Sequence, residues 1–373
     1  MNILNDSKQK SSQAVVPLLR FLFFISALLS FRLHGEAATI EYLHSYVLNT
    51  ATPFFNSRIG GLSGLAFKDG LYWAVSDDKG TYGELRVVGF NVQLNEKELS
   101  IIPIKTLFLK DEKGNPFLKK TLDLEGIVAQ QDSFIISNEG LLDHKPRTMP
   151  SLIAFSANGI QIGQIKLPEL FNPEKTGKQK TGVRSNGSFE GLSLSPSGQY
   201  LWALAEQPLL QDHKKWQQGD AGETRLLRFK KSKEGWQLDG EWMYPIDAVS
   251  VPSGGSVVLG QGCSEILAIS DTELIVMERA AHTNGLQVNY DIKLYQTSVR
   301  VSAASKPQKT LSKALLFNFD TIKEKMADGK GLDNFEGLAW GPEVKGQKTL
   351  LVVSDDNFIS AQRTLWLALK WVQ

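Results

Sequence analysis

A short motif recurs five times along this chain, and each copy reads as the opening of a β-strand. SGLAF begins at Ser63, EGIVA at Glu125, EGLSL at Glu190, SEILAI at Ser264 and EGLAW at Glu336. Aligned at Gly64, Gly126, Gly191, Ile266 and Gly337, the copies are spaced by 62, 65, 75 and 71 residues. A period of this size marks a repeated supersecondary unit that buries its apolar face against its neighbours. Each opener leads into a second apolar strand that ends in acids: YWAVSDD, FIISNE, LWALAE, LIVMER and LLVVSDD. Between the two strands of a unit lie turn signals such as Lys68-Asp69-Gly70 and Pro196-Ser197-Gly198, which favour tight hairpins.

Two further strand-like runs follow each of the first four hairpins, for example TRLLRFKK and WQLDGEWMYPI after the third. The reading is therefore all-β: a β-propeller of four-stranded antiparallel blades, five in number, with six as the alternative. The last unit supplies only three strands before the sequence stops at Gln373. TIEYLHSYVLN, 39–49, belongs to no other unit and is expected to pair with the C-terminal strands, closing the ring and covering an open edge.

Composition bounds the rest. A formal net charge of +1 gives no field suited to nucleic acid or to an anionic membrane. The single cysteine, Cys263, cannot form an internal disulfide, and no neighbouring Cys or His is placed to activate it. Lys8, Lys10 and Arg20 lead into the apolar run FLFFISALLSF and then the small residues Gly35 and Ala37. This is the pattern of a secretory leader, too short to span a bilayer. Residues 1–37 are read as a signal peptide and 38–373 as one propeller domain. An exported (periplasmic or secreted) monomer, with no stable membrane insertion, is the expectation.

The acids carry the functional reading. In an antiparallel hairpin the start of the first strand lies beside the end of the second. Glu125 should then neighbour Glu139, Glu190 should neighbour Glu206, Glu265 should neighbour Glu278, and Glu336 should neighbour Asp355 and Asp356. In the first blade Ser63 replaces the glutamate, while Asp77 and Asp78 close the hairpin. Innermost strands share one channel, so these groups should converge on one rim. Crowded carboxylates must be protonated, paired with arginine or bound to cations, and oxygen-only ligands suit Ca²⁺, with Mg²⁺ the alternative. Glu125, Glu190, Glu336 and Arg279 are the candidate catalytic groups. Asp77, Asp78, Glu139, Glu206, Glu265, Glu278, Asp355 and Asp356 are the candidate metal ligands. Arg279 and Arg58 are the candidate counter-charges for an anion.

The stretches GGLSGLAF, WAVSDDKG, DLEGI, ISNEG, SFEGLSLSPSG, YPIDA, SEILAIS, VMERA, NFEGLAWGP and LLVVSDDNF together resemble the phytase-like family, described as esterase-like activity of phytase. The resemblance runs in order over residues 55–370. It implies an exported propeller that hydrolyses a small-molecule ester or phosphoester. Other hydrolytic chemistries lack their residues: there is no GxSxG elbow, no HExxH helix and no Cys-x5-Arg loop. Water activated by a cation at the acidic mouth is the route that fits. A non-catalytic propeller stabilised by Ca²⁺, and a lactone-hydrolysing propeller, are the alternatives.

Overall fold

The computed structural model describes residues 38–372 apart from 51–53, 56, 146, 252–254 and 301–309. The leader-like residues 1–37 lie outside the described residues. Residues 40–372 form one unit.

Five four-stranded sheets make up a five-bladed β-propeller. Blade one holds β2 (Leu62–Lys68), β3 (Leu71–Ser76), β4 (Arg86–Leu94) and β5 (Leu99–Phe108). Blade two holds β6 (Leu124–Gln130), β7 (Ser133–Asn138), β8 (Ser151–Ser156) and β9 (Gln161–Ile165). Blade three holds β10 (Phe189–Leu194), β11 (Tyr200–Ala205), β12 (Gly222–Ser232) and β13 (Gly235–Ile246). Blade four holds β14 (Val258–Ala268), β15 (Glu273–Asn284), β16 (Gln287–Ser298) and β17 (Lys313–Asn318). Blade five runs β18 (Asn334–Val344), β19 (Gln347–Asp355), β20 (Thr364–Val372) and finally β1 (Thr39–Leu48), so the first strand completes the last blade. The orphan N-terminal strand therefore takes the place expected of it, and no sixth blade is present among the described residues.

The openers are the innermost strands, and they are buried on both faces because neighbouring blades flank them. Apolar side chains fill the wedges between blades. Val128, Ile135 and Leu152 of blade two meet Phe189, Leu192 and Phe229 of blade three. Trp202 of blade three packs against its own blade's Trp242, ring centroids 5.5 Å apart and planes tilted by 44°, in the wedge that Ile266 and Val276 of blade four complete. Each fully buried side chain of this size contributes about 1.5–3 kcal/mol relative to exposure.

The register breaks once at the top of every opener. In β10 Glu190 is an extra residue between the pairs Phe189↔Ala205 and Gly191↔Leu204, and in β18 Glu336 sits the same way between Phe335↔Ser354 and Gly337↔Val353. Such a bulge bends the strand and re-aims one side chain. The glycine that follows allows the blades to approach. A Cβ on Gly126 would lie 2.3 Å from the Glu190 carbonyl oxygen, and one on Gly337 would lie 2.6 Å from that of Ser63. Gly126→Ala is therefore expected to cost about 2–3 kcal/mol in a urea melt, because rigid backbone must move. Gly260→Ala, whose Cβ would meet nothing within 4 Å, is the control and should stay within about 0.5 kcal/mol of wild type. Equal midpoints for the two variants would show that the close approach carries no energetic weight.

Candidate active site

Bulges and pairing together equate positions between blades. Opposite the openers' glutamate positions, the second strands end at equivalent residues. The first ring of equivalent positions is Ser63, Glu125, Glu190, Ser264 and Glu336, and the second is Asp77, Glu139, Glu206, Arg279 and Asp355. Seven of these ten positions are carboxylates and one is a guanidinium. Asp77, Glu125, Glu190, Glu206, Glu336, Asp355 and Arg279 all line a cavity of about 920 Å³. Glu139 is not among the lining residues and is 1% exposed.

Blade four departs from the expected alignment. Its bulge falls at Ser264, between Cys263↔Glu278 and Glu265↔Met277, so the whole unit is shifted by one residue. Side chains alternate along a strand, and a one-residue shift exchanges the faces. Glu265 therefore leaves the glutamate ring and occupies the glycine position of the other blades. Glu278 leaves the second ring, and Arg279 takes its place. Glu278 points instead toward the gap between blades three and four, where Tyr244 donates to it at 2.8 Å and Lys313 pairs with it. Burial pushes its carboxyl above the usual range, with the Lys313 charge acting in the opposite direction.

Two more proposed ligands are claimed by the architecture. Asp78 is fully buried on Arg86, 2.7 Å from its Nη1, and also accepts the amides of Gly80 and Tyr82. Asp356 accepts the amides of Gly61 and Phe358 and the Thr50 hydroxyl, fastening the lead into blade one to blade five. Adjacent acids in Asp77-Asp78 and Asp355-Asp356 thus face opposite ways, one to the cavity and one into the scaffold. Arg58 also lies away from the cavity lining; its guanidinium sits over the rings of Tyr82 and Phe358.

Within the cavity, cations and acids are unevenly distributed. Arg279 bridges Glu206 at 3.3 Å and Glu336 at 3.5 Å, and donates to Asn334, whose amide donates in turn to Glu336 at 2.8 Å. Lys79 lies 2.8 Å from Asp123 and 3.8 Å from Asp77. Its backbone is left-handed, at φ 52°, in the turn that Asp78 holds through the Gly80 amide. Burial works against the charge of both bases, but the surrounding carboxylates more than offset it and hold both above their ordinary values.

Among the described residues, no cation pairs directly with Glu125, Glu139 or Glu190. Glu125, Glu139 and Glu190 each offer an oxygen, all within 4.8 Å of one another, and Asp77, Asp123 and Glu125 form a second group of the same size. Glu125 accepts from Ser63 at 2.7 Å, and Glu139 Oε1 accepts the Ser188 amide. Among the described residues, Glu139 Oε2 and Glu190 Oε2 are buried and meet no donor. Like charges about 5 Å apart repel by about 3 kcal/mol at an effective dielectric of 20. Burial first, and neighbouring carboxylates second, push Asp77, Glu125, Glu139 and Glu190 well above the usual carboxylate range. Glu206 is also raised by burial but, held by Arg279, reaches only about 7.

Lys79 and Asp123 are the cluster members that the repeat reading missed. Asp123 stands two residues before Glu125, as Asn334 stands before Glu336. Period-two alternation puts each pair on one face, and that was the available signal. The cavity also has an apolar wall. Leu259, Leu286, Val288 and Ile359 line it and are exposed, the middle two from the β15–β16 hairpin and its tip.

Among solved structures, the chain is similar to a mannoside phosphorylase-family glycoside hydrolase that targets β-1,2 mannosidic linkages in Candida mannan. That match has 10% identity and a TM-score of 0.40, covering 90% of this chain and 94% of that one. It is also similar to a xylan β-1,4-xylosidase from Bacillus halodurans C-125, with 11% identity and a TM-score of 0.39, covering 84% of this chain and 53% of that one. A third similar structure is an exo-1,5-α-L-arabinanase from a bovine ruminal metagenomic library, with 11% identity and a TM-score of 0.35, covering 86% and 95%. No curated protein matches the chain. A family pattern matches residues 57–358, which take in both rings, and the chain belongs to the phytase-like family, described as esterase-like activity of phytase.

Proposed function

We propose that this propeller is a hydrolase of small-molecule esters or phosphoesters, with a divalent cation at the Glu125–Glu139–Glu190 group. The observation that carries this reading is the pair of buried carboxylate oxygens, Glu139 Oε2 and Glu190 Oε2, that meet no donor beside a third carboxylate. An all-oxygen set of this kind fits Ca²⁺, with Mg²⁺ the alternative. When bound, such a cation polarises an ester or phosphoryl oxygen and lowers the pKa of water.

The chain's own residues supply the rest. Lys79 neutralises the Asp77–Asp123 side of the cluster, which leaves one strongly acidic group rather than two. Arg279 holds Glu206 and Glu336 at the cavity wall. The apolar wall of Leu259, Leu286, Val288 and Ile359 would receive an apolar arm of the substrate. That wall, sharing the cavity with six ring carboxylates, favours a carboxylic ester over a polyphosphate, whose charge the cavity would repel. The leader-like pattern of residues 1–37 supports a protein outside the cytoplasm. Closure of the ring within one chain supports a monomer.

The test is hydrolysis of an aryl acetate and an aryl phosphate by purified protein, each with Ca²⁺, with Mg²⁺ and with chelator. Cation-dependent turnover of either is the expected result, with the acetate the better substrate. A second reading, a binding propeller that uses the cation for stability, is favoured by the burial of Glu139, which does not line the cavity. It predicts a different outcome: saturating Ca²⁺, at about 100 times its dissociation constant, adds about 2.7 kcal/mol of stability without any turnover. No response of either stability or activity to cations would overturn both.

A further inference from the structure

The four glycines that follow the first ring, Gly64, Gly126, Gly191 and Gly337, leave the channel without side chains one residue further along the opening strands. Only blade four places a side chain there, and it is Glu265. Its Oε1 accepts the amide of Leu192 at 2.9 Å and its own blade's Ile266 amide at 3.0 Å. The Leu65 amide of blade one also favours the ionised form of this carboxylate electrostatically. Leu65, Leu192 and Ile266 are the residues just after the shared position in blades one, three and four. Backbone N–H groups from blades three and four thus meet on one carboxylate oxygen in the channel, and the Leu65 amide of blade one acts on the same group. Glu265 is 1% exposed, is absent from the cavity lining, and has no ion pair among the described residues. Burial pushes its carboxyl well above the usual range, and the backbone N–H groups of Ile266, Leu192 and Leu65 act in the opposite direction.

We infer that the channel floor is an anion-binding nest built from backbone amides, made for a carboxylate and filled from within by Glu265. Converging amides form anion sites through partial positive charge and fixed geometry, without any basic side chain. The off-by-one bulge of blade four is what delivers the ligand: a residue that elsewhere must be glycine becomes the one that closes the channel. The occupied nest ties blade four to blade three at the channel, and it seals the cavity on the side away from its mouth. This role is independent of any hydrolytic activity.

The test replaces Glu265 with the glycine of the other four blades and supplies the anion from solution. Glu265→Gly in chloride-free buffer should melt several degrees below wild type. Formate should raise its Tm by more than about 3 °C beyond the effect of formate on wild type, as ligand binding to the folded state requires. Formamide, the neutral analogue, should give no such gain. Equal formate effects on both proteins, an equal gain from formamide, or a Glu265→Gly protein as stable as wild type would each overturn the inference. Should Glu265→Gly fail to fold, Glu265→Gln decides. It keeps the shape and an oxygen that can accept both amides but removes the anion, so it should melt below wild type with no added gain from formate. A Glu265→Gln protein as stable as wild type would show that the floor does not need an anion.

Discussion

Glu190→Gln is expected to lower turnover of the best aryl substrate by at least about 10²-fold, the low end for loss of an acid–base or activating group. The substitution removes one charge and keeps the side chain's size. Glu190 lines the cavity, its Oε2 meets no donor, and Glu139 and Glu206 press on it electrostatically. Folding should survive, since relieving one of several mutually repelling acids lowers the repulsion. Two measurements separate the readings. If Glu190 is a cation ligand, calorimetric Ca²⁺ affinity falls together with kcat. If it acts on substrate directly, affinity for Ca²⁺ is kept and only kcat falls. Full activity of the variant, with unchanged cation affinity, would remove Glu190 from the mechanism.

Asp78→Ala is expected to do the opposite: to cost stability. Asp78 is the only carboxylate in ion-pair contact with the fully buried Arg86 among the described residues. Breaking a buried pair from one side leaves an uncompensated charge and costs about 3–5 kcal/mol. The Gly80 and Tyr82 amides would also lose their acceptor, loosening the turn that carries Lys79. Asp77→Ala, one residue away, removes an acid from a repelling cluster and should cost far less in a denaturant melt. The double variant Asp78→Ala/Arg86→Met should regain much of the loss, because no buried charge is then left alone. Equal midpoints for Asp77→Ala and Asp78→Ala would contradict the division of labour between these neighbours.

That division marks the boundary of what the sequence can show. The spacing of the openers, the turn signals between paired strands and the three-stranded last unit specified five blades closed by the N-terminal strand. Each of those features is local, or repeats along the chain, and periodicity survives in one dimension. Convergence of Glu125, Glu190, Glu336, Asp77, Glu206 and Asp355 followed from the same repeat, because equivalent positions in a ring must face one channel. Arg279 was also legible, though as a counter-charge beside Glu278 rather than as that acid's replacement in the ring.

The sequence by itself determined the repeat, the closure of the ring and the gathering of the repeated acids, six of which line one cavity. Only the tertiary structure decided which acid of each adjacent pair enters the cavity. Asp77 and Asp78, or Asp355 and Asp356, are equal as letters, and alternation turns one inward and its neighbour outward. The bulge at Ser264 moved blade four by one residue, exchanging Glu278 for Arg279 and setting Glu265 into the channel floor. A bulge leaves no mark in the hydrophobic pattern, because the same apolar residues follow it. Its position is fixed by the hydrogen-bonding partner strand and by how closely the next blade approaches. Lys79 and Asp123 meet for a similar reason. They are 44 positions apart in the chain, and only the packing of blade one against blade two brings their charges to 2.8 Å.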